Sequence, residues 1–439
     1  MPRSHLTHGV VIAAPASGSG KTLVTLALIH LLSREGRVVA PFKTGPDYID
    51  GAYHRAASAG RPCFNLDLFA MRPETIAAIL HDGAADAAFA VIEGVMGLFD
   101  GAADAEGSTA DLAARLGLPV ILVIDASHQG QSAAALAHGF RSFRADVRIG
   151  GVILNRVASE RHERLLREAF APLGLPVLAA LPAHDDLVLP SRHLGLVQAD
   201  EHGGLDLFLD RAADWLHRRL DRAAFKAIAT PLTLHTAPLR PLPPPGQRIA
   251  VASDAAFAFA YPHLLQGWRR QGAELSVFSP LQDEAPAGDA DAVFLPGGYP
   301  ELHADKLAGN ARLMQGLRDA AARGAAIYGE CGGFMLLGES LTDADGARHA
   351  MAGLLPVATS FAARRRSLGY RRITALGDTP LGAKGSRFRG HEFHYSVQTK
   401  TAATPLFAVS DASGDSPGVT GAQAGRVFGS YLHLIDRED

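Results

Sequence analysis

The chain opens with a short apolar run, Val10-Val11-Ile12-Ala13-Ala14, then a few small polar residues, then a helical pattern over 21–34. That alternation recurs through the first half. Apolar runs at 9–14, 38–43, 89–93, 120–125, 149–155 and 177–181 read as strands, with helical patterns at 21–34, 73–80, 109–116, 132–144 and 160–170 between them. Strands that are apolar at nearly every position belong in a parallel sheet covered on both faces. Their alternation with helices predicts a doubly wound α/β domain. The second half repeats the idea, with strands expected at 249–253, 274–278, 292–295 and 325–328, and it becomes richer in strand and loop from Met351 onward.

Prolines mark the division. Of 26 in the chain, six fall at Pro231, Pro238, Pro241, Pro243, Pro244 and Pro245, where neither a helix nor a central strand can be sustained. A stiff, extended spacer is expected there. The predicted organisation is a domain over 1–230, a linker over 231–247 and a second doubly wound α/β domain over 248–439.

Composition narrows the class. Apolar residues are 47% and charged residues 20% of 439, which excludes wholesale disorder. A formal net charge of −3 provides no global field for nucleic acid or an anionic membrane, so neither is expected as a partner. No apolar run approaches the roughly 18 residues of a spanning helix. The only cysteines are Cys63 and Cys331, which excludes a disulfide framework and fits a reducing, cytoplasmic setting. Only six of the 42 basic residues are lysines, so Lys21, at the start of the first helical pattern, and Lys43, at a strand end, stand out.

The segment Pro15-Ala16-Ser17-Gly18-Ser19-Gly20-Lys21-Thr22 lies between a strand and a helix. Small residues there let backbone N–H groups turn inward around phosphates, and the helix N-terminus adds its positive dipole end. It is a P-loop pattern whose first glycine is replaced by Pro15, with Ser17, Gly18, Ser19, Gly20, Lys21 and Thr22 as candidate ATP contacts and Thr22 reaching Mg²⁺. Mg²⁺ also wants carboxylate oxygens, and the strand ends offer Glu93 and Asp47. Lys43, Asp50 and Asp100 are candidates for holding a substrate; Asp50 and Asp100 can equally be cap or turn residues. Asn155 at another strand end can read a purine edge or simply close a turn.

In the second half, Tyr328-Gly329-Glu330-Cys331-Gly332-Gly333-Phe334 places a thiol in a tight strand-to-helix turn. Such an elbow exposes a strained nucleophile, and a helix N-terminus lowers a thiol pKa. Cys63 lacks that context and reads as packing. A thiolate acting on an amide needs an oxyanion site and a base. Gly297 and Gly298 after the 292–295 strand, with Gly332, supply the backbone donors, and His433 is the candidate base.

Together these residues resemble a known family. Positions 17–22, Phe42-Lys43 and Val91-Ile92-Glu93-Gly94 look like the dethiobiotin-synthetase-like P-loop ligases. Positions 295–301 and 328–334, with Gly390-His391-Glu392-Phe393-His394-Tyr395-Ser396 and Gly429-Ser430-Tyr431-Leu432-His433, look like a class I, triad-type glutamine amidotransferase, whose fold is flavodoxin-like. In this order, and with Lys43-Thr44-Gly45-Pro46-Asp47-Tyr48-Ile49-Asp50, they most resemble the cobyrinic or hydrogenobyrinic acid a,c-diamide synthase family. The resemblance implies ATP-dependent amidation of a corrin polycarboxylate in cobalamin biosynthesis. Cys331 and His433 release ammonia from glutamine, Mg²⁺ accompanies ATP, and the activated carboxylate is an acyl phosphate. It leaves the number of subunits open, a homodimer among the options.

One departure bears on chemistry. Many triad amidotransferases carry His-Pro-Glu where this chain reads His433-Leu434-Ile435-Asp436. The orienting acid is missing from its usual place, so a Cys331–His433 dyad is expected. An arginine-rich stretch, Arg364–Arg366 with Arg371, Arg372, Arg387 and Arg389, is a candidate for corrin carboxylates or else a solvated face. Two alternatives remain: a related synthase, either cobyric acid synthase or one acting on another tetrapyrrole, and a partitioning-type switch ATPase with a degenerate amidotransferase module.

Overall fold

The computed structural model describes residues 6–102, 107–192 and 195–438. They form two compact units, Met1–Phe69 with Ile76–Ala237, and Ala70–Thr75 with Pro238–Asp439. In the first unit seven strands run parallel: β1 (His8–Ala13), β2 (Val39–Thr44), β3 (Phe64–Leu66), β4 (Phe89–Glu93), β5 (Val120–Asp125), β6 (Ile149–Val157) and β7 (Val177–Pro182). Their order is β3-β2-β4-β1-β5-β6-β7, and Thr230–Pro231 adds a short antiparallel edge to β1. Central position explains the unbroken apolar run of β1: Val10, Val11 and Ile12 have no exposed surface. The helix after it, α1 (Lys21–Arg34), is buried nearly all round, with Val24, Leu26, Leu28, Ile29 and Leu31 inside. At its start Gly20 has φ +94°, a left-handed conformation that glycine adopts without a Cβ penalty.

The helix α2 (Asp50–Ala57) carries no clear apolar stripe in sequence; Tyr53, His54 and Ala57 are its buried face. The proline stretch forms no helix, as expected, but it is not a free spacer. Leu232, Leu239 and Leu242 are buried. The Leu232 N–H donates to the Thr7 carbonyl in the first unit, and Gln271 Nε2 donates to the Leu242 carbonyl in the second. Apolar side chains every few residues outweigh the stiffness of proline here.

The second unit holds a six-stranded sheet in the order Glu274–Phe278, Arg248–Ala252, Ala292–Leu295, Ala326–Glu330, Val427–Ser430 and Ala422–Ala424. All neighbours are parallel except the last pair. A five-stranded antiparallel sheet contains Ser367–Ala375, Arg387–His394 and Leu432–Arg437, with His391 directly opposite His433. The chain therefore passes from one sheet to the other between Ser430 and Leu432, which brings His433 beside the strand that ends in Glu330. Among the described residues no helix is long and apolar enough to cross a membrane.

Candidate active sites

In an open parallel sheet, functional residues gather at the carboxyl ends of the strands. The register does this here: Ile12 pairs with Glu93 across β1 and β4, and Lys43 pairs with Glu93 across β2 and β4. Thr22 donates its hydroxyl to Glu93 Oε1 at 2.6 Å. Lys43 Nζ donates to the same oxygen at 2.9 Å and to Asp50 Oδ2 at 2.6 Å. His54 Nε2 lies 2.7 Å from Glu93 Oε2, and its Nδ1 lies 2.6 Å from the Asp50 carbonyl. Burial opposes every charge in this cluster, and pairing outweighs it at Lys43 and Glu93. Asp50, Glu93 and Asp47 hold the Lys43 ammonium well above the usual lysine range. Lys43, His54 and Thr22 hold Glu93 well below the carboxylate range despite its burial. Asp50, buried and facing two other acids, is pushed up to about 7.

Lys21 is held differently. Its Nζ donates to the carbonyls of Met96 at 2.7 Å and Ala16 at 3.4 Å, and burial lowers its pKa. Neutral carbonyls can yield such an ammonium to a phosphate. A cleft of about 490 Å³ lies over the loop, lined by Gly18, Gly20, Lys21, Thr22, Asn155 and Trp215 among others. Asn155 is committed to the loop: its Nδ2 donates to the Ser19 carbonyl at 3.0 Å, and its Oδ1 accepts the Arg156 N–H. Any Cβ at Gly20 would stand 2.2 Å from that nitrogen, so the amide buttresses the turn. Ser19 Oγ likewise donates inward, to the Ala16 carbonyl, and Ser17 is exposed.

Two candidate acids are occupied by the backbone. Asp47 Oδ1 accepts the N–H groups of Ile49 and Asp50 and so shapes the entry to α2; its Oδ2 lies 3.9 Å from Lys43 Nζ. Asp100 Oδ2 accepts the Gly97 N–H, a turn contact, and the residue borders an apolar hollow with Pro15 and Phe99. The structure thus gathers Thr22, Lys43, Asp50, Glu93 and, at the rim, Asp47. Asp100 stays apart from them. No group of three or more His, Cys, Asp or Glu that could cage a metal occurs among the described residues. Thr22 with Glu93 nevertheless suits Mg²⁺, which keeps several waters and leans on one or two protein oxygens plus phosphate.

In the second unit Cys331 has φ +45°, a strained left-handed backbone for a non-glycine residue, at the turn between Ala326–Glu330 and the six-residue helix Gly332–Leu337. Its N–H donates to the Ser430 carbonyl at 2.8 Å, which ties the elbow to the strand leading to His433. Gly297 shows how close the pair lies. A Cβ there would stand 2.3 Å from His433 Cε1, 3.0 Å from its Nε2 and 3.2 Å from Cys331 Cβ. Gly298 and Gly332 pack just as tightly, a Cβ on Gly332 falling 3.1 Å from the Gly298 nitrogen. Cys331, His433, Gly297, Gly298 and Gly332 therefore lie together.

The electrostatics of the thiol differ from expectation. Burial pushes the Cys331 thiol up, with Glu301 and Glu330 adding to it, and the Gly332 N–H opposes too weakly. A helix of six residues has little dipole to offer against full desolvation. His433 is pushed down to about 3 by burial and by His391 and His394. The resting pair is thus a neutral thiol and a neutral imidazole. Cys63 is buried, its thiol also raised by burial.

The acid after His433 is Asp436, and it is engaged elsewhere. Arg72 donates to it from its backbone N–H at 2.9 Å, from Nε at 3.2 Å and from Nη2 at 2.9 Å. The arginine-rich stretch also divides. Arg371 pairs with Glu392, Arg387 and Arg389 with Glu438, and Arg372 reaches the Ala412 carbonyl. Arg364, Arg365 and Arg366 are exposed.

Sequence reasoning missed His54 and Glu330. The signal for His54 was its place four residues after Asp50, one helical turn on. For Glu330 it was an acid inside the apolar strand that delivers the nucleophile. Glu392 and His394, bonded at 2.9 Å, were seen only as family marks; Glu392 also bears on Cys331, and His394 on His433.

Comparison with known proteins defines the class. Residues 10–197 match the CobQ/CobB/MinD/ParA nucleotide binding domain, and residues 248–439 match the CobB/CobQ-like glutamine amidotransferase domain. A nucleotide-binding unit, which implies use of ATP, joined to an amidotransferase unit makes a glutamine-dependent, amide-forming ligase. Relatives give the particular family. Hydrogenobyrinate a,c-diamide synthases of Brucella abortus, Rhizobium meliloti and Rhodobacter capsulatus are 57%, 54% and 51% identical to this chain. The matches cover 98%, 98% and 97% of it and 98%, 99% and 98% of the relatives. The chain belongs to the hydrogenobyrinate a,c-diamide synthase family, whose amidations serve cobalamin synthesis.

Proposed function

We propose that this chain amidates the a and c carboxylates of hydrogenobyrinic or cobyrinic acid, spending one ATP and one glutamine per amide. The observation that carries the reading is the pairing of two sites in a chain matched end to end by such synthases: a P-loop with Thr22 on Glu93, and a strained Cys331 within reach of His433. The proposed division of labour is an amidoligase over 1–230, a proline-rich segment over 231–247 and a glutaminase over 248–439.

In the glutaminase, Cys331 Sγ gives its proton to His433 Nε2 as it attacks the glutamine side-chain carbonyl. In this reading the backbone N–H groups of Gly298 and Gly332 receive the oxyanion, and Gly297 keeps the space clear. Imidazolium then returns the proton to the leaving nitrogen, and ammonia departs from a glutamyl thioester. Water hydrolyses the thioester to glutamate and restores the thiol. In the ligase, Ser17, Gly18, Ser19 and Gly20 wrap the phosphates, and Lys21 exchanges carbonyls for the β- and γ-phosphates. A corrin carboxylate attacks the γ-phosphorus, ADP leaves, and ammonia displaces phosphate from the acyl phosphate. Thr22, Glu93 and Asp47 would hold Mg²⁺, which adds charge neutralisation on the phosphates. In this reading Lys43, paired with Asp50 and Glu93, helps to draw in an anionic substrate.

The test is an ATP-dependent amidation assay with hydrogenobyrinic acid and its cobalt-containing counterpart, supplied with glutamine or ammonium. Mono- and diamide products in a glutamine-dependent reaction support the reading. ATP hydrolysis stimulated by a protein or DNA partner, without amide formation, would instead support a switch ATPase.

A further inference from the structure

The acid that orients the base in a thiol–imidazole pair is absent from its usual place after His433, and Asp436 is held by Arg72. The strand ending at the nucleophile supplies another. Glu330 is wholly buried, and its Oε2 lies 3.8 Å from His433 Nδ1. Its other oxygen is fixed from two sides, accepting the Tyr328 hydroxyl at 2.5 Å and the Leu434 N–H at 3.0 Å. Tyr328 is itself clamped, stacked between Phe294 and Phe428 at ring distances of 5.5 and 5.1 Å. Among the described residues the Oε2 atom has no hydrogen-bond partner, although it is buried. A buried, unsatisfied carboxylate oxygen aimed at an imidazole nitrogen is costly unless something gives it a proton to accept.

We propose that Glu330 is the positioning residue of the glutaminase: as a carboxylate it accepts Nδ1–H of His433, presents Nε2 to Cys331, and steadies the imidazolium formed when the thiol gives up its proton. This rests on Cys331 and His433 acting as nucleophile and base. The proton moves from Sγ to Nε2 and later to the leaving nitrogen, while Glu330 gains and loses none. The 3.8 Å gap closes to a hydrogen bond by a small ring shift, as catalytic contacts often do when substrate arrives.

Every charged neighbour bears on the pH dependence. Glu330 faces His433 and Tyr328; His391 and His394 act on His433; Glu301 and Glu392 act on Cys331. Burial raises Glu330 to about 8, opposed by the Tyr328 and Leu434 donors. Glutaminase kcat/KM therefore rises with pH through that value as the carboxylate forms.

The experiment measures glutaminase kcat and KM, and the pH dependence of Cys331 alkylation by iodoacetamide, in a C63S background. Variants E330Q, E330D, Y328F, D436N and C331A are compared in the full chain. E330Q, whose amide favours the wrong tautomer, is expected to lose about 100-fold or more in kcat with little change in KM, and to flatten the alkylation profile. E330D recovers part of the loss, and Y328F shows a smaller shift in the same direction. D436N leaves the profile unchanged. Wild-type kcat and alkylation profile in E330Q overturn the assignment; if E330Q does not fold, unchanged profiles in both E330D and Y328F do so. Persistent glutamine use by C331A would instead overturn the Cys–His reading itself.

Discussion

The two sites bury polar groups in opposite ways. Around Glu93 the charges are paired: Lys43 bridges Asp50 and Glu93 and holds Glu93 ionised, and His54 and Thr22 complete the shell. Around Cys331 the groups are desolvated and driven neutral, the thiol and Glu330 upward and His433 downward. A paired cluster holds its charge in readiness, so an arriving phosphate meets cations already in position. A neutral cluster generates charge only when substrate arrives, which protects the thiol until then. The same degree of burial thus serves a site that binds standing charge and a site that creates it.

The sharpest break of this comparison is Lys21→Ala. Removing this ammonium, which rests on the Ala16 and Met96 carbonyls, is expected to lower amidation at least ~1,000-fold with either nitrogen source while glutaminase activity persists. Steady-state assays of both half-reactions check this. Next comes Gly297→Ala, whose methyl would fall on His433 and Cys331. Glutaminase is expected to fall by roughly 100-fold, with ammonium-driven amidation retained.

A third prediction uses pH. The folded Glu330 pKa of about 8 stands above its ordinary 4.5, so the folded state binds that proton more tightly than the unfolded one. The stability it gives is present below 4.5 and lost as pH rises through 8. Thermal melts should show E330Q gaining on the wild type as pH rises across that window; a constant difference would contradict it. The smallest effect is expected for Arg365→Ala with Arg366→Ala. Both side chains are exposed, and the pair should raise KM for the corrin by no more than about tenfold, read from initial rates.

Six of the seven parallel strands of the first unit were legible because their apolar runs and the helical periods between them were clean, whereas the three-residue β3 and the helix α2, which has no clear apolar stripe, were not. The P-loop and the Cys331 elbow were legible for the same reason, each a small-residue turn between a strand and a helix. What sequence hid was long-range pairing. The orienting acid was missing from its usual place after His433, and only the fold shows Asp436 turned toward Arg72 and Glu330 beside the imidazole. Asn155 read as a base contact or a turn residue, and only the fold shows that its amide also donates to the Ser19 carbonyl of the loop. The prolines of 231–245 concealed three buried leucines, because stiffness is local and burial is not.

The central claim is that one site frees ammonia and the other consumes it. The most direct measurement is amide formation by Cys331→Ala with glutamine and with ammonium in parallel. The account predicts that glutamine-driven amidation is abolished while ammonium-driven amidation continues near the wild-type rate. Loss of both in a folded protein, or retention of both, would contradict it.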